Sequence, residues 1–368
     1  MGKIVSIINP KAGGFNDLVE TCINFNVDKI FPEHEIVYTT QVHSGITEKL
    51  INTNLEQIIK DYASNGIRNF NICGGDGHIG EVIDAIMKLG INSNEFSISV
   101  LPIGSGNDFA FGGLGIKDIQ QGLDSLNNYY RKGNKNIKEV DLFRTEVKLD
   151  DESTFSRYGI NSADVSFGAF LLNFMENTAI GRKAKKMFGG KSYTYLSPLV
   201  SLLYKSPDLK IDINGWTKVE SIENFGNYPI NSQNSLMDNS EKRVLINRII
   251  HSRKNFLTCW QNSEYTGGGL RLCPGAKIDD DVFDFFIHER TFRPKFPFSL
   301  MLKAKKGEVL EDPYVSRVWD VKKVEISANN GNLGRYLNVD GELYNFTSPI
   351  KKVKYEGTGE KLRFICDK

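Results

Sequence analysis

Apolar positions change their spacing along this chain, and the change divides it in two. Residues 3–8 form a short β-branched run that reads as a buried strand. Phe15, Leu18, Val19, Cys22 and Ile23 then recur at helical spacing. The alternation continues with a strand at Ile36–Tyr38 and a helix marked by Leu50, Ile51, Leu55, Ile58, Ile59 and Tyr62. Phe70–Cys73 reads as the next strand, Ile79, Val82, Ile83 and Ile86 as one helix face, and Ser97–Leu101 as a further strand. Strands alternating with helices predict a parallel sheet covered on both faces.

Past about residue 137 the texture is different. Short alternating segments dominate, at 139–147, 157–165, 209–213, 256–260, 282–288, 321–327 and 351–355, with turn residues between them. This pattern predicts an antiparallel β domain. One helical interruption falls near 168–205. The Asn- and Ser-rich stretch 215–250 reads as an inserted surface loop. The expected fold class is α/β + β: a Rossmann-like domain with a parallel sheet over 1–136, then a mostly antiparallel β-sandwich domain over 137–368.

Composition narrows the function classes. Of 368 residues, 40% are hydrophobic and 25% charged, as in ordinary globular proteins. A formal net charge of +1 gives no global field to draw the chain onto nucleic acid, so any basic contact surface must be local. Five scattered cysteines without a CxxC pair argue against a disulfide framework or a zinc site and suit a reducing cytosol. The first residues lack the apolar length of a signal peptide, and no run approaches the roughly 20 apolar residues of a membrane span. Four histidines, His34, His43, His251 and His288, form no metal-binding spacing.

Chemistry concentrates in three turns between strand and helix. The first is Asn9–Pro10–Lys11–Ala12–Gly13–Gly14. Its glycines would let backbone N–H groups approach a phosphate at a helix N-terminus. The second, Gly74–Gly75–Asp76–Gly77–His78, places one carboxylate among three glycines where ligands bind in open α/β sheets. That carboxylate would suit a Mg²⁺ ion bridging nucleotide phosphates. The third holds Gly104–Ser105–Gly106–Asn107–Asp108, with a hydroxyl between glycines and two residues able to cap the following helix. No GxxxxGK[ST] sequence occurs, which excludes an ordinary P-loop enzyme.

Taken together, INPKAGG, CGGDGHIGEVIDAI and LPIGSGNDFA resemble the three signature blocks of the diacylglycerol kinase catalytic domain family, which includes bacterial lipid kinases and the sphingosine and ceramide kinases. The second block is shared with NAD kinases. Farther on, Phe256–Asn262, Thr266–Pro274, Ala276–Asp281 and Val339–Glu342 resemble the family's later segments in the same order. The resemblance implies an ATP-dependent lipid kinase, most directly one that phosphorylates diacylglycerol to phosphatidic acid. The alternatives are a sphingosine- or ceramide-type kinase, an NAD kinase-like enzyme or an inactive nucleotide-binding homologue.

Position by position, the resemblance implies that Asn9, Pro10, Lys11, Gly13, Gly14, Thr40, Gly74, Gly75, Asp76, Gly77, His78, Gly104, Ser105, Gly106 and Asn107 hold ATP. It implies a central role for Asp76 with Mg²⁺, a structural Mg²⁺ site at Lys277, Asp280 and Val282, and Glu342 as the general base. Chemistry would then fall in a cleft between the domains.

The chain departs from the family at three positions: His78 replaces a usual Thr, Phe111 a frequent Arg, and Asp281 a common Gly. A protonated His78 would replace the lost hydroxyl as a donor, or else the ring points to solvent. The expected partner is a lipid presented at a membrane by a cytoplasmic protein, and a homodimer is compatible with the reading. The basic stretch 181–191 follows the apolar run Phe170–Met175. It is either a peripheral membrane contact or a solvated helix face.

Overall fold

The computed structural model describes residues 3–25, 34–39, 55–132, 136–189, 191–218, 237–238, 243–252, 255–289, 296–312 and 314–366. The chain forms two compact units. The first comprises residues 1–142 and 360–368, and the second residues 143–359. The expected division at 136/137 therefore differs in two respects. The chain enters the second unit part-way along one long strand, and its last nine residues return to the first.

In the first unit, β1 (Ile4–Ile8), α1 (Phe15–Phe25), β2 (His34–Tyr38), α2 (Leu55–Ser64), β3 (Asn69–Gly74), α3 (Asp76–Lys88), β4 (Ser97–Pro102) and α4 (Ile119–Arg131) alternate. β1 pairs in parallel with both β2 and β3, and β3 pairs in parallel with β4. Arg363 and Phe364 of the returning chain add a further parallel neighbour beside β4. The order β2–β1–β3–β4 reverses direction between β1 and β3. That is the switch point outside which ligands bind in open α/β sheets. β1, β3 and β4 are buried almost throughout, as strands covered on both faces must be.

One polar ladder crosses this apolar sheet. Ser6, Asn71 and Ser99 stand opposite one another in register. The Asn71 amide donates to the Ser6 hydroxyl at 2.9 Å, and the Ser99 hydroxyl donates to the Asn71 carbonyl oxygen at 2.9 Å. The Ser6 hydroxyl also meets His34 Nε2 at 2.5 Å. Mutual hydrogen bonding removes most of the cost of burying these groups.

The second unit opens with β5 (Ile137–Leu149, from Phe143 onward), β6 (Thr154–Gly159) and β7 (Ser162–Asp164). Three helices follow: α5 (Phe167–Asn177), α6 (Ala179–Phe188) and α7 (Lys191–Ser201). The strands β8 (Leu209–Lys218), β9 (Met237–Asp238), β10 (Arg243–Ser252), β11 (Asn255–Gln261), β12 (Tyr265–Thr266), β13 (Leu270–Arg271) and β14 (Phe283–Glu289) come next. Then come α8 (Phe296–Lys306), β15 (Val315–Val321), β16 (Lys323–Ala328), β17 (Tyr336–Val339), β18 (Glu342–Asn345) and β19 (Ile350–Ile365).

The described pairings within this unit are antiparallel and build a sandwich-like core. Trp260 stacks on Phe283 at 4.8 Å, and Phe143 and Tyr355 close round it. A second apolar cluster packs α5, α7 and α8 on Phe256, Cys259 and Phe286 of the sheet's other face.

The stretch 215–250, expected as a loop, is strand at both ends. β8 and β10 pair residue for residue from Leu209↔Ser252 to Lys218↔Arg243. The alternation of Ile211, Ile213 and Gly215 inward, with exposed Asp212 and Asn214 between, outweighs the Asn- and Ser-rich composition beyond it. Residues 219–236 lie outside the described residues. All five cysteines are free thiols, four buried and Cys22 half-buried.

Candidate active site

The three glycine-rich turns emerge at the carboxyl ends of β1, β3 and β4, and the backbone ties them into one body. The Asn9 N–H donates to the Cys73 carbonyl at 3.0 Å, joining the first turn to β3. The Gly14 N–H donates to the Ile103 carbonyl at 2.9 Å, joining the first turn to the third. The Ile103 N–H donates to the Gly74 carbonyl at 3.2 Å, joining the third to the second. Within the first turn the Asn9 side-chain oxygen accepts the Lys11 N–H at 3.0 Å.

At Gly75 and Gly104 the second and third turns meet backbone to backbone. A Cβ added to Gly104 would lie 2.3 Å from the Gly75 Cα. A side chain does not fit at Gly104, and one at Gly75 would press on the Gly104 Cα at 3.0 Å. Asn107 adopts φ 56°, a left-handed conformation that Asn tolerates. Its side chain clips back onto Gly104, accepting that residue's N–H at 2.9 Å and donating to its carbonyl at 3.0 Å. It does not cap the next turn of helix, and neither does the side chain of Asp108.

That capping role falls to Asp76. Its two carboxylate oxygens accept the N–H groups of Asp108 and Phe109, each at 2.9 Å. Asp76 is therefore a clamp between the second and third turns as well as the acid beside them. The sequence carries no signal for this, because the partners are more than thirty residues away. At the start of α3, Gly75 provides no side-chain cap, so the helix N-terminus keeps backbone donors that suit an anion. Ser105 and Gly106 are exposed, as are Lys11 and Gly13.

His78 does not point to solvent. It is buried beneath Gly74, where an added Cβ would fall 2.5 Å from the ring. Its Nδ1 stands 3.5 Å from the Glu81 carboxylate. Thr40 lies outside the described residues.

In the second unit the Asp340–Gly341–Glu342 turn joins β17 to β18. Asp340 is fully buried with φ 54°, and its carboxylate accepts the N–H groups of Ile160, Asn161 and Ser162 at 2.8–3.0 Å. Burial pushes its carboxyl up, and the three N–H bonds pull against that shift. Gly341 takes φ 83° and donates its N–H to the Asn338 side chain. The turn thereby leaves Glu342 half-buried at the head of β18.

Around Glu342 lies a group that sequence reasoning missed. Tyr193 donates to Glu176 at 3.1 Å, and Lys185 pairs with the same carboxylate oxygen. Burial first, then Glu176 and lastly Glu342, push the Tyr193 hydroxyl up. Glu342 therefore lies within electrostatic reach of Tyr193 on α7.

Lys277, Asp280 and Val282 fall on the turn before β14, where Asp281 takes φ 64°. That left-handed turn residue is the one that replaces a common Gly. Among the described residues no three His, Cys, Asp or Glu side chains gather as a metal site. One carboxylate with backbone carbonyls still suits a hard cation. Among the described residues, no helix is long and apolar enough to cross a membrane.

Comparison with known proteins agrees with this geometry. Residues 3–144 match the diacylglycerol kinase catalytic domain, and residues 227–354 match the YegS C-terminal NAD kinase beta sandwich-like domain. A Shewanella frigidimarina protein named "Probable lipid kinase YegS-like" is 23% identical over 84% of this chain and 80% of its own length. An Alcanivorax borkumensis protein of the same name is 24% identical over 63% of this chain, and the match spans 59% of that protein. A solved structure described as a diacylglycerol kinase from Bacillus anthracis has a TM-score of 0.57 at 15% identity, covering 99% of this chain and 97% of its own, a likeness of fold. The chain is thus similar to the diacylglycerol kinase catalytic domain over residues 3–144 and to the YegS C-terminal domain over residues 227–354.

Proposed function

We propose that this protein transfers the γ-phosphoryl group of ATP to a lipid hydroxyl, with diacylglycerol as the acceptor and phosphatidic acid as the product. The observation that carries the reading is the single body of backbone donors made by the three turns at the ends of β1, β3 and β4. Phosphoryl transfer asks mainly for positioning and charge stabilisation, and such a body supplies both. Gly13, Gly14, Gly75, Gly77, Gly104 and Gly106 let the phosphates approach the main chain, while Ser105 and Lys11 offer exposed donors.

In this reading Asp76 faces the Mg²⁺ that accompanies ATP while keeping the second and third turns together. Glu342 takes the proton from the acceptor hydroxyl as its oxygen bonds to phosphorus and the β–γ bridging bond breaks, with ADP leaving. Lys277, Asp280 and Val282 would hold a second Mg²⁺ that fixes the turn before β14.

The test is transfer of labelled phosphate from ATP to diacylglycerol, sphingosine, ceramide and NAD, assayed side by side. Label in diacylglycerol is the expected result. Label in sphingosine or ceramide alone would change the acceptor within the same chemistry. Label in NAD alone, or in nothing, would overturn the lipid-kinase reading.

A further inference from the structure

Twelve large apolar side chains stand exposed among the described residues, and eight of them lie on or just after three helices of the second unit. On α6 they are Ile180, Met187 and Phe188. On α7 and the turn after it they are Tyr195, Leu199, Leu202 and Leu203, and on α8 Leu302. Leu202 is the most open at 68%, and Phe188 the least at 48%. The helices touch one another, and the Phe188 and Tyr195 rings meet edge to face at 5.6 Å.

α7 is apolar on both sides: Val200 is buried and Leu196 packs against the second apolar cluster, while other apolar side chains face out. Ser192, Ser197 and Ser201 are buried, while Tyr195 and Leu199 face outward. Ser192 and Ser201 satisfy their hydroxyls on carbonyls of their own segment, Gly189 and Pro198. A helix that shows leucine and tyrosine outward while its inner side is already packed suits an apolar exterior. The apolar run Phe170–Met175 is not part of this face. Phe170, Leu171 and Phe174 pack inward on the second apolar cluster.

Charge says what that exterior is. Among the described residues, 177–189, 191–207 and 296–307 hold nine lysines and arginines and no acidic residue, in a chain whose net charge is +1. On α6, Lys183 lies between Ile180 and Met187 on the same face. Among the described residues Lys183, Lys186, Lys205 and Lys305 are exposed and have no ion pair. A second copy docking here would set like charges against like, which disfavours self-association. Leucine, methionine and aromatic side chains interleaved with lysine suit an anionic bilayer, where the apolar groups enter the acyl boundary and the cations meet the headgroups.

We infer that α6, α7, the Leu202–Leu203 turn and α8 form a docking surface for anionic lipid bilayers. The inference deepens the lipid-kinase reading and takes from it the choice of a bilayer over a protein partner. α7 also carries Tyr193, within electrostatic reach of Glu342, and α6 carries Lys185, which shares Glu176 with that tyrosine. Docking there would bring membrane lipid toward the proposed base.

The test is sedimentation with vesicles of phosphatidylcholine, with and without phosphatidylglycerol, in the absence of nucleotide. The protein should bind the anionic vesicles at least about tenfold more tightly than the neutral ones. Removing two cations by Lys183→Ala with Lys186→Ala should weaken binding about twentyfold or more, since each is worth roughly fivefold near an anionic surface. Leu202→Glu with Leu203→Glu should weaken it at least about tenfold while leaving the thermal melt unchanged, because both side chains are exposed. Unchanged vesicle binding in both variants would overturn the surface. So would absent vesicle binding in a protein whose self-association the leucine variant disrupts. Intact vesicle binding without lipid phosphorylation counts against the kinase reading alone. Phosphorylation of detergent-dispersed lipid without vesicle binding counts against the surface alone.

Discussion

Two aspartates in glycine-containing turns, one in each unit, do the same job in opposite surroundings. Asp76 accepts two backbone N–H groups from the third turn of the first unit and stays partly open to ligand. Asp340 accepts three from the β6–β7 turn and is sealed from solvent. Each fixes a turn that presents something else: the glycines proposed to meet phosphate beside Asp76, and Glu342 two residues beyond Asp340. An acid in a motif can therefore serve as a brace first, and its exposure decides whether it is also placed for chemistry.

The largest effect should come from Asp76→Asn, which is expected to abolish measurable phosphoryl transfer while circular dichroism and the melt show a folded protein. The amide keeps one acceptor for the two N–H groups and loses the charge. Near-normal transfer in the folded variant would leave Asp76 a brace only. Next is Glu342→Gln, which isolates chemistry from bracing. Turnover should fall about 10²–10⁴-fold, the usual worth of a general base. ATP affinity, measured separately by calorimetry, should hold. A loss explained wholly by weaker ATP binding would move the base elsewhere.

Asp340→Asn should act on folding instead. Its amide nitrogen cannot accept, so buried N–H groups lose their partner at about 1–3 kcal/mol each. A drop of about 3 kcal/mol in urea denaturation is expected. Unchanged stability with lost turnover would break the comparison by making Asp340 chemical.

A smaller effect is expected from pH. Burial pushes His288 down to about 4 from its ordinary 6.5. Between those values the unfolded chain takes up a proton that the folded one refuses. Stability therefore falls as pH drops from about 6.5 toward 4, by up to roughly 1.4 kcal/mol per pH unit from this group. Urea midpoints at pH 7 and pH 5 measure it, and His288→Phe should flatten the slope. The smallest effect belongs to His78→Thr, which restores the family hydroxyl and should keep transfer within about tenfold of the parent. A larger loss would give the buried ring a part of its own beside Asp76.

The three turns were legible in the sequence because each sets glycines within a few residues of the end of a buried strand. Their mutual ties were not, since Asp76 meets Asp108 and Phe109 through the fold and leaves no trace in local spacing. The burial of His78 was equally hidden, because the space under Gly74 exists only once β3 and α3 have packed. The 215–250 stretch misled through composition. Val244, Leu245, Ile246, Ile249 and Ile250 carry strand signals, and their pairing with β8 prevails over the polar residues between. The outward face of α7 shows the limit of pattern reading: a hydrophobic periodicity states that a face exists, and packing of α5 and α8 decides which way it turns.

The ladder of Ser6, Asn71 and Ser99 reaches beyond its own stability. A parallel strand that slid by one residue would carry its polar rung to the other face and leave buried groups without partners, at about 1–3 kcal/mol each. The ladder thus acts as an alignment mark stamped across the middle of the sheet. Ser6 lies three residues before Asn9, Asn71 three before Gly74, and Ser99 five before Gly104. At about 3.3 Å per residue, the mark fixes where each strand ends, and so whether Gly75 and Gly104 arrive at the same height. The precision of the surface made by the three turns is written several residues upstream, in a part of the sheet remote from that surface.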